Sequence, residues 1–486
     1  MNNLSAVIDK LTSYARKNLG LAQEDEICVR NSLLDILGSP AYTYTGEECS
    51  DVSPDALLGE LFAVCEREGI FTAYEREEYA DKVMGALSLR PSAVRKEFAQ
   101  RLSENSKSAT DWFYSYCVKC DYVKKSKLDK NPRFDENGLV ITINMAKPEF
   151  RDPKKAASGN SVAGGYPKCA ICRENEGCPV RNKRTLRTVD LLLDGEKWFW
   201  QYSPYGYFYQ HGIAVNCEHT PMHVDKSTFL KLCDFVDIFP HYFIGCNAPL
   251  PRIGGSVLAH DHFQGGGEIL PMHRAKAYKT LGRKGFDGTV EVLDWPGTVI
   301  RVVSADRAAL ADVCEEVRAK WVKYRDDALG IIPEDEHGIH NAVSPTVVKT
   351  ERGYEMSLIL RSNVTSEKYP DGVFHAHPEF HSIKKESIGL IEAQGLFILP
   401  GRLHDQLKQM EGLLENGGAL QGELEQFAFV FGEMKALYNK DKAAGAGAAV
   451  RRELGSVCSR ILENTAVFKD KAVTVKFAEE LGFKVL

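Results

Sequence analysis

Apolar positions along the chain follow two periods, and the change from one to the other divides it. Leu4, Val7, Ile8, Leu11, Tyr14 and Ala15 recur every three or four residues, which predicts a helix with one apolar face. Helical stretches at 55–66 and 92–102 follow, separated by Pro- and Gly-containing turns, so residues 1–125 read as a helical region. From about Asp135 the texture is that of strands. Residues 139–143 are a β-branched run, and 147–168 form a Pro-, Lys- and Gly-rich loop. Residues 189–193 and 197–202 flank Asp194-Gly195 as a hairpin, and 211–216 reads as a further strand. Residues 227–239 return to helical spacing, and a glycine-bearing loop then delivers the chain to a strand at His260.

A second pass of similar texture follows: strands at 289–293, 298–303 and 354–360, with a helix at 308–324 between them. It reaches a second His-x-His at His375 and His377. Two runs of strands and a helix, each ending on His-x-His, predict an internal duplication. The expected fold class is α+β. Its units are a helical region 1–125, antiparallel-sheet domains 126–287 and 288–404, and a helical tail 405–486 with a loop at 443–449.

Composition narrows the function classes. At 486 residues the chain is too long for one ordinary core. A net charge of −6 argues against a nucleic-acid scaffold or a membrane-surface protein, and no apolar run is long enough to span a bilayer. The first ten residues lack the basic and apolar regions of a signal peptide. Thirteen cysteines without such a signal read as reduced thiols, so the expected location is cytoplasmic.

The chemistry concentrates in one strand. In Gly254–Gly266, alternation puts His260, His262 and Gln264 on one face and Asp261 and Phe263 on the other. Two imidazoles and an amide beside a glycine turn suit nucleophilic work on phosphorus. Gln264 cannot titrate; it holds phosphate oxygens but does not protonate a poor leaving group, which favours transfer over hydrolysis. Cys169-x-x-Cys172 has zinc spacing. Cys117-x-x-Cys120 shares that spacing but lies in an aromatic helical segment and reads as packing. His211 reads as a core histidine. As a strand, His375, His377, Glu379 and His381 would share one face, either as a first-row metal site or, as we prefer, as a polar seam between domains.

His260-Asp261-His262-Phe263-Gln264 resembles the His-x-His-x-Gln signature of the galactose-1-phosphate uridylyltransferases, a branch of the histidine-triad superfamily. The resemblance is closest to the second, bacterial class and covers nearly the whole chain. It includes Tyr166-Pro167-Lys168-Cys169, Glu218-His219-Thr220-Pro221-Met222, Phe239-Pro240-His241-Tyr242-Phe243-Ile244-Gly245 and Leu399-Pro400-Gly401-Arg402-Leu403. It implies two histidine-triad-like domains and exchange of UMP between UDP-glucose and galactose-1-phosphate, with His262 as the uridylylated nucleophile and Gln264 orienting the phosphate. Asn247, Gly255 and Ser256 would supply further donors, and Lys384 and Lys385 would grip the hexose phosphate. Cys169, Cys172, His219 and His260 match a structural zinc site of the first class, with Cys178 and Cys217 as spare thiols; a second metal at His375 and His377 stays open. The first class is dimeric, so a homodimer is one alternative for the assembly. Competing readings are another nucleotide-sugar phosphorylase or nucleotidyl hydrolase on this scaffold, and a non-catalytic zinc-stabilised binding module.

Overall fold

A computed structural model describes residues 3–38, 41–145, 165–255, 257–336 and 338–486. The loop expected at 147–168 falls outside the described residues up to 164, and so does Ser256.

The strands are short and regular: β1 (Arg133–Glu136), β2 (Leu139–Asn144), β3 (Val189–Leu193), β4 (Glu196–Tyr202), β5 (Gly212–Asn216), β6 (Phe243–Gly245), β7 (His262–Gly266) and β8 (Ala277–Gly282). The second part of the chain adds β9 (Thr289–Leu293), β10 (Val299–Ser304), β11 (Glu334–Asp335), β12 (Gly338–Ile339), β13 (Asn341–Thr350), β14 (Gly353–Ser362), β15 (Leu396–Pro400) and β16 (Lys484–Val485). Eleven of them form one sheet in the order β16-β8-β9-β10-β14-β13-β6-β7-β5-β4-β3, and every pairing in it is antiparallel.

That order contains the same unit twice. The segment β4, β5, helix Lys226–Ile238, β6, β7 takes the spatial order β4-β5-β7-β6. The segment β9, β10, helix Arg307–Trp321, β13, β14 takes the order β9-β10-β14-β13. The two meet where β6 pairs with β13 (Ile244 opposite Val347). The fold is therefore α+β with an internal repeat, and the repeats share one sheet. The counterpart of β7 is β14. The second His-x-His lies beyond β14 and is not in a strand: Pro378–Phe380 form a turn of 3₁₀ helix. The strand expected across His375, His377, Glu379 and His381 is thus corrected, because Pro378 has no N–H to give a ladder.

Local chemistry explains each element. Asp194 and Gly195 both take left-handed φ (46° and 75°), as a two-residue hairpin requires. The Lys226–Ile238 helix starts at a reciprocal capping box between Asp225 and Thr228. Asp306 caps the Arg307–Trp321 helix by accepting from the Ala308 and Ala309 amides. Both helices press apolar faces onto one side of the sheet, where Trp198, Trp200, Ala214, Ile244, Phe263, Val343, Val347, Met356 and Leu358 join the N-terminal helices in a single core. Cys117 and Cys120 are buried in that core, in keeping with packing.

The other side is covered at the C-terminal half by β1-β2-β15 and the tail helices, packed on Leu293, Val299 and Ile359. The tail is helical as expected, but the loop placed at 443–449 is shorter, since the last long helix already runs Ala446–Thr465. Alanine at 446, 448 and 449 favours helix, and Gly447 does not stop it.

Candidate active site and metal cluster

The alternation read in the sequence holds for Phe263 against His262 and Gln264, but the strand begins at His262, so His260, expected on the same strand face, lies before it. Phe263 points into the helix-side core and stacks on Trp198 at 4.5 Å between ring centroids. Asp261, also buried, points that way too, and burial pushes its carboxyl up to about 6. His262 and Gln264 therefore occupy the opposite face, the former buried and the latter half-buried. Opposite them on β5 are Val215 and Ile213.

His262 is held in one tautomer. Its Nδ1 lies 2.8 Å from the carbonyl oxygen of His260, an atom that can only accept, so Nδ1 carries the proton and Nε2 presents a lone pair. Burial lowers the pKa of the ring, and the bond to the His260 carbonyl opposes this only in part. The side chain is a neutral imidazole with an unprotonated Nε2, which is the form a nucleophile needs.

His260 precedes the strand and belongs to a second constellation. Cys169, Cys172, His219 and His260 bring four ligand atoms within 4.8 Å of one another. Cys169 Sγ is 3.3 Å from Cys172 Sγ and 3.3 Å from His260 Nδ1, and Cys172 Sγ is 3.2 Å from His219 Nδ1. These edges approach those of a tetrahedron with metal–sulfur bonds of about 2.3 Å and metal–nitrogen bonds of about 2.0 Å. His260 Nε2 donates to the Asn216 carbonyl at 2.9 Å, leaving Nδ1 as the ligand atom. Burial holds this imidazole down at about 4, so it is neutral and able to bind a cation. The donor set fits a metal. Among the described residues it is the only such cluster; Cys178 and Cys217 are outside it, and Cys217 Sγ instead accepts from Arg173 at 3.8 Å.

The remaining expected residues divide. Asn247 is buried beside the glycine turn, and its Oδ1 accepts the Leu390 amide at 2.9 Å. Gly254 takes φ +107° and lies against Gly389, where a β-carbon would sit 2.8 Å from the Ile388 carbonyl oxygen. A β-carbon on Gly255 would meet the Leu258 side chain and lie 3.2 Å from the Ala248 carbonyl oxygen, so Leu258 would have to move to admit one. Lys385 is exposed.

Lys384 is a correction. It is 3% exposed, with Nζ 2.7 Å from Glu392, 2.9 Å from Glu386 and 3.1 Å from the Ile398 carbonyl oxygen. Burial pulls this ammonium's pKa down, and the two carboxylates outweigh that and raise it. Its Nζ donates to Glu386 and to the Ile398 carbonyl and is ion-paired with Glu392, so it braces the loop and is not available to a hexose phosphate.

The histidines of the second motif do not converge. His375 Nδ1 and His381 Nε2 both donate to the Ala376 carbonyl, and His377 stacks on Tyr369 at 4.2 Å. Burial lowers the pKa of His375, and the nearby His381 and Arg361 add to this in small part, which disfavours a charged ring there. His211, read as a core histidine, is buried between the rings of Tyr207 and Phe208. One polar residue of the face escaped the sequence argument. Gln201 is 3% exposed, its Oε1 has no partner, and the ladder sets it across Ile213 from Gln264. The available signal was a lone amide in the aromatic strand Trp198-Phe199-Trp200-Gln201-Tyr202.

Comparison with known proteins agrees with this geometry. Residues 44–221 match the galactose-1-phosphate uridyl transferase N-terminal domain, and residues 235–421 match its C-terminal domain. A galactose-1-phosphate uridylyltransferase of Bifidobacterium longum is 51% identical, with 99% of each chain covered. Those of Clostridium acetobutylicum (36%, covering 95% of this chain and 96% of that one) and Lactococcus lactis subsp. cremoris strain SK11 (34%, covering 95% of each) follow. With both domain profiles in register along a chain that carries the His-x-His-x-Gln strand, this protein belongs to the galactose-1-phosphate uridyl transferase family.

Proposed function

We propose that the protein exchanges UMP between UDP-glucose and galactose-1-phosphate through a uridylyl group carried on His262. The observation that supports this most directly is the His262 tautomer, with Nδ1–H bonded to the His260 carbonyl and Nε2 unprotonated. Nε2 attacks the α-phosphorus of UDP-glucose; the N–P bond forms as the P–O bond to glucose-1-phosphate breaks. The ring gains positive charge in this step, and the Nδ1–H bond to a carbonyl stabilises it. Galactose-1-phosphate then attacks the same phosphorus and restores the neutral ring. The first half-reaction expels glucose-1-phosphate, already stable as an anion, and the second expels the neutral His262 imidazole, so Gln264 need only orient phosphate oxygens, with Gln201 on the same face of the sheet.

The Cys169–Cys172–His219–His260 cluster suits structural zinc, which as a closed four-ligand site would supply folding energy and no open position for chemistry. Because His260 also carries the carbonyl that orients His262, that cluster fixes the nucleophile's support. In this reading residues 126–287 carry the nucleophile and 288–404 complete the cleft. The enzyme works in the cytoplasm, in galactose metabolism.

Intact-protein mass spectrometry after mixing the protein with UDP-glucose alone tests the proposal. A uridylyl-sized adduct that maps to His262, is absent from His262→Ala and is discharged by galactose-1-phosphate is the expected result. Absence of an adduct in metal-replete protein, under conditions that preserve phosphoramidates, overturns it. An adduct discharged by water alone points to a hydrolase on the same scaffold.

A further inference from the structure

The turn that carries Cys169 and Cys172 is held by a residue outside the ligand set. Asn175 is fully buried, in the 3₁₀ turn Arg173–Asn175 that follows the second cysteine. Its Nδ2 donates to the Cys169 carbonyl at 2.9 Å and to the Cys172 carbonyl at 2.8 Å, and its backbone N–H donates to the Cys172 carbonyl at 3.1 Å. Lys183 Nζ donates to the carbonyl of Ala170, between the two cysteines, at 2.7 Å. Inside the turn the Cys169 amide donates to Cys172 Sγ at 3.3 Å. Three of the four carbonyls from Cys169 to Cys172 are thus held from outside the turn, and neither holding side chain is among the four that could ligate a metal.

The amide suits this task and is a poor choice for packing. Its nitrogen carries two hydrogens in one plane, so a single atom fixes the separation of two carbonyls. Its Oδ1, by contrast, has no hydrogen-bond partner. Burying an acceptor without a partner costs stability, and an aliphatic side chain of similar size would avoid that cost. With the carbonyls of Cys169 and Cys172 held, the backbone from which both thiols project is fixed, and their Sγ atoms lie 3.3 Å apart. Two thiolates at that separation repel each other. A turn that keeps them there by its own hydrogen bonds leaves more of the coordination energy as affinity, which is the effect of preorganisation.

The clamp is itself anchored. Glu176, the next residue, accepts the Thr188 amide at 2.7 Å just before β3 and pairs with Arg95 of the helix Pro91–Glu104. On the other side, Cys169 Sγ lies 3.3 Å from His260 Nδ1, and the His260 carbonyl orients His262. Asn175 therefore stands between an anchor at the sheet and the residue that supports the nucleophile. We infer that Asn175 is a positioning residue for the metal: it sets the spacing of the two cysteine thiolates, and through the cluster it steadies the carbonyl behind His262. This rests on the zinc reading of the cluster.

The test uses the full-length protein loaded with zinc, and Asn175→Ala, Asn175→Asp and Glu176→Gln loaded in the same way. Asn175→Asp keeps the shape and puts an acceptor oxygen where the donor nitrogen was. Glu176→Gln weakens the anchor and leaves the bonds to the turn. Three quantities are read: the rate of zinc transfer to pyridylazoresorcinol, the melting temperature, and the visible spectrum of the cobalt(II)-loaded proteins, whose bands report ligand geometry. Both Asn175 variants are expected to release zinc about tenfold faster and to shift or weaken the cobalt bands. Glu176→Gln is expected to melt lower but to release zinc within threefold of the wild-type rate. Asn175 variants that stay within threefold overturn the inference. So does faster release with an unchanged cobalt spectrum, or an equal effect from Glu176→Gln, because either marks a residue that serves the fold alone. If one Asn175 variant does not fold, the other decides by the same readouts; if neither folds, the residue serves the fold and the inference is overturned. Wild-type protein that takes up neither zinc nor cobalt refutes the zinc reading itself, and the inference falls with it.

Discussion

Gly265 sits between the two residues that matter most and the strand that supports them, so Gly265→Ala tests the geometry of the site without touching its chemistry. A β-carbon there would fall well inside contact distance of the Phe243 carbonyl oxygen and 2.9 Å from both Cα and Cδ1 of Ile244. Carbon–carbon contacts settle near 3.5–4.0 Å, so β6 and β7 must part by about 1 Å. Both strands are central in the sheet, and neither can swing out toward solvent. Overpacking of this kind costs about 1–3 kcal/mol, which lowers the melting temperature by a few degrees. His262 and Gln264 ride on the displaced strand, and a misplacement of about 1 Å in a reacting group is worth on the order of 10²-fold in rate. The assay is the single-turnover rate of uridylyl-enzyme formation from UDP-glucose, with scanning calorimetry alongside. Gly297→Ala, whose β-carbon meets nothing nearer than 3.6 Å, serves as the control. A Gly265→Ala protein that melts several degrees lower yet forms the adduct within threefold of the wild-type rate would refute the argument that β7 sets the nucleophile's position.

Cys169→Ser is expected to lose bound metal by elemental analysis and to slow adduct formation about tenfold or more, because His260 then holds its carbonyl less firmly under His262; full activity in metal-free protein would show that the cluster does not position the nucleophile. Lys384→Met leaves Glu386 and Glu392 facing each other in a buried site and is expected to cost about 3–5 kcal/mol by denaturant unfolding, and an unchanged midpoint would mean that the pair is not formed in solution. Glu453 is buried against Glu433, and burial followed by that carboxylate pushes its pKa up to about 8. The folded state therefore holds this proton more tightly than the unfolded chain does. The stability it contributes is complete below about pH 4.5 and is lost as pH rises toward 8. Wild-type melting temperature is expected to fall from about pH 5 to about pH 8, and Glu453→Gln to flatten that fall; parallel curves for the two proteins would exclude the effect.

The sequence by itself determined the elements whose periodicity is local. The Asp194-Gly195 hairpin, the helix around Phe229 to Val236, and the strand with Phe263 on one face and His262 and Gln264 on the other could be read because side-chain alternation and capping depend on neighbours a few residues away. The Cys-x-x-Cys spacing pointed to a metal site. Its histidine partners came from family resemblance, since ligands 47 and 91 residues from the first cysteine pair obey no local rule. The second His-x-His was misread as a strand because its spacing looked right. Pro378 and the pairing of β14 one element earlier decided otherwise.

Lys384 and Arg361 show the limit most clearly. Lys384 is one of a lysine pair and Arg361 a lone basic residue in an apolar strand, and neither local sequence shows what it meets. The fold buries the first beside Glu386, two residues on, and Glu392, and it buries the second with its Nε and Nη1 unbonded. A pattern along the chain fixes which face a side chain takes, because that depends on backbone geometry. What the side chain meets there depends on residues brought from far along the chain, and the three-dimensional fold alone decides it.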